Sequence, residues 1–154
     1  MPIWMRRRID RFEPTESSPA IGGVVHFQDQ MDHYQYTDKE FVEQMRSASF
    51  PPALFDHEAH LRLGWVMIRT HGPDRAAELL CDLIQNYARA IGEAEMYDRA
   101  LTITATRIIA LCIMRSNATD FTTFLAEFPK LGNGFRELIG AYNEGGSAGV
   151  KAIL

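Results

Sequence analysis

From Thr37 to Asn143 the chain carries one helix start or stop signal after another, and no pair of segments in it alternates as partnered strands require. Thr37 with Glu40 forms a capping box ahead of "DKEFVEQMRSA", where Phe41 and Met45 share a face, so a first helix is predicted over 38–48. Pro51 and Pro52 interrupt it. The apolar pattern resumes after Asp56, a candidate N-cap, and runs to Thr70. Leu61, Leu63, Trp65, Val66, Met67 and Ile68 point in several directions around this second helix, which makes it the central, most buried one. Gly72 followed by Pro73 joins it tightly to a third helix, 74–91, with Leu80, Ile84, Tyr87 and Ile91 on one stripe. A fourth is predicted over 95–116, a fifth from Asp120 to a stop at Pro129, and a short last one around "FRELIGAY".

The fold expected is all-α: a single-domain bundle of five to six helices over 37–143, with an irregular N-terminal arm (1–36) and a flexible tail (144–154). In the arm, Pro14, Pro19, Gly22 and Gly23 break any helical period, and "IGGVVHFQ" (21–28) is a strand-like stretch with no partner. At 154 residues and 46% hydrophobic, the chain can bury an ordinary core without disulfide or metal staples. Cys81 and Cys112 fall inside apolar helical patterns and read as buried, reduced thiols.

A net charge of −4 argues against a general nucleic-acid binder. The sole basic run, Arg6 to Arg8, is followed by Ile9, Asp10 and Arg11, not by the apolar stretch of a secretory signal. No stretch approaches the roughly 18 consecutive apolar residues of a membrane span. A cytoplasmic location is expected, with no membrane partner.

Chemistry is concentrated at two helix openings. In "LFDHEAHLRL", His57 and His60 are three apart, which on a helix lets both imidazoles reach one ion. The zinc-protease pattern fails, because its histidines are four apart, and Glu58 would point away from the pair. Glu95 and Asp98, again three apart, open the fourth helix. Antiparallel packing would then give two nitrogens and two oxygens suited to iron, manganese or zinc. The plainer alternative is that the histidines cap a helix turn and the acids meet its macrodipole. Tyr97 either donates a hydrogen bond into such a site or packs at its rim. Thr102 and Thr106 either bond back to helix carbonyls or line a cavity.

The blocks Phe55-Asp56-His57-Glu58-Ala59-His60-Leu61-Arg62-Leu63-Gly64-Trp65, then Tyr97-Asp98-Arg99, then Phe124, Leu125 and Pro129, resemble an uncharacterised family of small bacterial all-helical proteins. That family carries histidines where Asp56 and Asp98 stand and a glutamate where Arg99 stands. The resemblance implies a pocket shared by the second and fourth helices, and no activity comes with it.

The expected function is therefore a polar pocket binding a divalent metal or a small molecule. His57, His60, Asp98 and Glu95 are its candidate metal ligands, Tyr97, Thr102 and Trp65 its candidate ligand-binding residues. In an enzyme, His57 or His60 would carry protons. The rival is a non-enzymatic module that forms a homo-oligomer or docks on a protein through Trp4, Phe12 and "GGVV". A cluster of His26, Asp29, Asp32 and His33 in the arm reads as solvated. His71 suits the dipole at a helix end, and Gly132 and Gly134 make no phosphate loop.

Overall fold

The computed structural model describes residues 32–154, and among them every regular element is helical. Seven α-helices follow one another: α1 (Asp38–Arg46), α2 (His57–His71), α3 (Pro73–Ala90), α4 (Arg99–Met114), α5 (Phe121–Glu127), α6 (Pro129–Asn133) and α7 (Phe135–Ile153). The all-α bundle expected from the sequence is therefore the fold. Readings that rest on Trp4, Arg6 to Arg8, Phe12, residues 21–28, His26 and Asp29 lie outside the described residues.

Local chemistry sets most boundaries. Thr37 Oγ1 accepts the Glu40 N–H at 3.2 Å and the Glu40 carboxylate accepts the Thr37 N–H at 3.4 Å, completing the capping box of α1. Asp56, Asp98 and Asp120 cap α2, α4 and α5 through their carboxylates. Helix α1 ends two residues earlier than predicted, where Ala48 takes φ 57° and the chain reverses.

Three corrections concern the later elements. The fourth helix begins at Arg99 and not at 95, because Ala94–Met96 form a separate 3-10 turn. Pro129 does not simply stop α5: it occupies the first position of α6, where the missing N–H costs nothing, and this adds a seventh helix to the five or six expected. The tail expected to fray is helical to Ile153. Gly146 bends α7 with φ 59°, and a Cβ at Gly149 would collide with the carbonyl of Ala141. Eight positions along a straight helix lie about 12 Å apart, so the last turn folds back on its own helix and buries Val150 completely. The Lys130 ammonium donates to the Ile153 carbonyl at the very end.

Helix α2 is the centre of the bundle, packed against α1, α3, α4 and α6. Phe41, Met45, Phe50, Leu63, Ile108 and Phe124 are fully buried around it. Gly64 permits the closest approach: a Cβ there would sit 2.8 Å from Ile109 Cδ1 on α4. The buried Tyr87 hydroxyl donates to the Phe50 carbonyl at 2.7 Å and ties α3 to the α1–α2 loop. Cys81 and Cys112 are buried free thiols, as expected, and burial pushes the Cys112 thiol up to about 12.

Candidate functional site

The first turn of α2 fixes both histidines. Asp56 Oδ1 accepts the Ala59 N–H at 2.9 Å, which sets the entry angle of the helix. Buried His57 then reaches the Leu131 carbonyl with Nε2 at 2.7 Å and packs against Phe135, ring centroids 5.2 Å apart. His60, half-buried, stacks on Phe55 at 3.7 Å and directs Nδ1 to the Asp56 carbonyl at 2.7 Å. A carbonyl only accepts, so each contact assigns a proton: neutral His57 carries it on Nε2, and neutral His60 on Nδ1. Desolvation within the bundle holds the His60 imidazole far below the ordinary histidine range, at about 3, against a smaller upward pull from its bond to Asp56.

Both rings border a cavity enclosed by α2, α3, α4 and the start of α7. It holds about 450 Å³ of non-atom space, part of it open to solvent. Leu61, Leu80, Ile84, Leu101, Ile109 and Phe135 form most of its wall, and Gly64 and Ala105 leave the room that larger side chains would fill. Thr102 and Thr106 supply the remaining polar surface. The two readings of these threonines turn out to be compatible. The Thr102 hydroxyl donates to the Asp98 carbonyl at 2.8 Å and that of Thr106 to the Thr102 carbonyl at 2.7 Å, while both still line the cavity.

Of the predicted site residues, His57, His60 and Thr102 come together, and the others do not line this cavity. Asp98 is spent as the N-cap of α4, its Oδ1 accepting the Leu101 N–H at 3.0 Å. Glu95 sits exposed in the preceding 3-10 turn, so the helical spacing that would have paired it with Asp98 does not exist. Tyr97 closes that turn half-buried, with Cys81 and Arg99 as neighbours. Desolvation, reinforced by Cys81, lifts its phenol to about 12. Trp65 faces away, against Phe121 and Phe124, with the Arg69 guanidinium 4.5 Å over its ring. Among the described residues no three His, Cys, Asp or Glu side chains are grouped to hold a metal ion. The four-ligand centre expected from His57, His60, Asp98 and Glu95 is thus not assembled. Arg99 is exposed.

Another face of α2 carries a cluster that spacing alone did not suggest. Arg62 is only 5% exposed and uses all five of its N–H bonds. Nε and Nη2 donate to Asp38 Oδ1 at 3.0 and 2.9 Å, and Nη2 also to the Tyr36 carbonyl at 2.7 Å. Nη1 donates to the His33 carbonyl at 2.6 Å and to His33 Nδ1 at 3.3 Å. His33 must therefore carry its proton on Nε2, which meets Glu58 Oε2 at 3.4 Å. Burial lowers the His33 pKa, opposed mainly by the bond to Glu58. The Phe41 ring lies 5.2 Å from the guanidinium and the Tyr34 ring 5.6 Å, and Tyr34 is raised far above its ordinary value, chiefly by desolvation. This corrects the reading of His33 as a solvated arm residue: it is fully buried, and residues 32–36 belong to the body. The available signal was a guanidinium in the middle of an apolar run, because a buried arginine requires partners.

No helix among the described residues is long and apolar enough to cross a membrane. Compared with family models, curated proteins and solved structures, the chain matches none.

Proposed function

We propose that this protein binds a small, largely apolar molecule in the cavity between α2, α3, α4 and α7. The observation that carries this reading is the wall itself: six large apolar side chains with four polar ones at fixed positions. That composition matches small-molecule sites, which are lined mainly by apolar side chains with a few placed polar groups. Binding is favoured over metal chemistry because the ligand set is dispersed. It is favoured over proton transfer because a carrier works best with a pKa near the operating pH, and burial takes His60 far from it.

The test is a titration with toluene followed through the methyl resonances of Leu61, Leu80, Ile84, Leu101 and Ile109. Saturable shifts at these methyls, abolished in a folded Ala105→Phe variant whose ring fills the space, are the expected result. Shifts confined to other methyls, or toluene binding undiminished by Ala105→Phe, would refute the reading.

A further inference from the structure

Away from the cavity, residues 32–36 lie against α2 through a network in which one ring can reverse a hydrogen bond by taking up a proton. The His33 imidazole is fully buried and joins two unlike partners. Its Nδ1 accepts from Arg62 Nη1 at 3.3 Å, and its Nε2–H donates to Glu58 Oε2 at 3.4 Å. The same Nη1 also donates to the His33 carbonyl at 2.6 Å. The Tyr34 ring lies 4.0 Å from the imidazole, with Phe41 of α1 at 6.2 Å and Phe121 of α5 at 6.4 Å. Two more charges bear on the cluster: Asp56 acts on His33 from the head of α2, and Asp38 of α1 holds the guanidinium. The Tyr34 phenol, which shares Glu58, is raised by burial and stays neutral.

An arginine does not give up its proton in a protein, so Nη1 remains a donor at every working pH. A proton added at His33 Nδ1 therefore sets donor against donor and cation against cation at 3.3 Å. Burial is the largest influence on the ring and opposes that proton, as does Arg62. Glu58 and Asp56 favour it, and the net effect is a pKa below the ordinary histidine value. In water the ring meets neither obstacle and binds a proton at about pH 6.5. The released segment thus takes up a proton more readily than the docked one. Docking is fully favoured above about pH 6.5, and as pH falls the ratio of released to docked chain rises by up to about tenfold per pH unit. Tyr36, whose ring lies 5.4 Å from that of Phe50, provides the hinge. We infer that residues 32–35 form an acid-opened strap with His33 as its catch: a proton on Nδ1 frees the strap from Arg62 and uncovers the Phe41 and Phe121 rings, while the helices stay folded.

The test is a pH titration of the full chain from 7.5 to 4.5, followed by NMR of its aromatic rings and methyls. The His33 and Tyr34 ring resonances are expected to shift with one shared midpoint below about pH 6.5, and the Tyr34–Phe121 and His33–Phe41 NOEs to vanish across it. The methyls of Ile108 and Leu138, fully buried in the bundle, should keep their native shifts throughout. A glutamine amide offers both an acceptor and a donor but takes up no proton in this range, so in His33→Gln the Tyr34–Phe121 NOEs should persist to pH 4.5. A protonated His33 ring with the wild-type NOEs intact, or NOEs unchanged down to pH 4.5, would overturn the strap. So would loss of the Ile108 and Leu138 shifts at the same midpoint, or release of His33→Gln at the wild-type pH.

Discussion

Removing the Arg62 guanidinium is expected to cost more stability than any other single surface-to-core change at the start of α2. The side chain donates five hydrogen bonds from a nearly buried position, and three of them end on main-chain or ring acceptors of residues 33–36. In Arg62→Ala the His33 and Tyr36 carbonyls lose these donors, at about 1–3 kcal/mol for each acceptor left unsatisfied in the interior. Asp38 is half exposed, so water replaces its share, and its ion pair adds little. Lost contact with the Tyr34 and Phe41 rings adds roughly 0.5–2 kcal/mol. The sum falls between about 2.5 and 8 kcal/mol. Against the ~5–15 kcal/mol that holds a typical domain together, that is a large fraction. Arg62→Lys keeps the charge but presents its donors from a single atom, and cannot serve acceptors on both sides of the fork, so about half the loss should remain. The assay is urea unfolding followed by far-UV circular dichroism, with amide hydrogen exchange over residues 33–41 to localise the effect. A change below about 1 kcal/mol in Arg62→Ala, or full stability in Arg62→Lys, would show that the fork geometry does not hold the segment down.

Two further outcomes follow from the same structure. His33 and His60 both have folded pKa values lowered by burial, so between the unfolded value near 6.5 and the folded values the unfolded chain binds more protons. Stability is then fully present above about pH 6.5 and declines as pH falls, by up to about 1.4 kcal/mol per pH unit for each histidine. Denaturation midpoints measured from pH 7.5 to 4.5 should show this slope, reduced in His60→Gln, and a flat profile would refute the assignment. At Gly64 the new methyl of an alanine would press on Ile109 Cδ1, the free end of a side chain that borders the cavity and can yield into it. Gly64→Ala should therefore change stability by less than about 1 kcal/mol, the helix-propensity gain offsetting the strain, while weakening toluene binding. A large loss of stability with binding intact would contradict this placement of the cavity.

What the sequence makes legible here is local, and what it hides is set by contacts between distant residues. The caps at Thr37, Asp56 and Asp120 involve partners two or three residues away, and each can be read from the order of residues alone. Asp98 shows where this stops. An acid three residues after another reads equally as a shared helix face or as a cap after a turn, and only the 3-10 turn at Ala94–Met96 decides for the cap. Pro129 is ambiguous in the same way, since a proline ends one helix and suits the first position of the next. The Arg62 cluster lies beyond local reading altogether, because its partners are 24 to 29 positions away in the chain. The candidate site combines both cases. His57 and His60 were recognisable by spacing, yet their chemistry is determined by carbonyls, one of them 74 positions distant, that take their protons. The same spacing that suggested two metal ligands therefore places two imidazoles, each hydrogen-bonded to a carbonyl, in the wall of a largely apolar cavity.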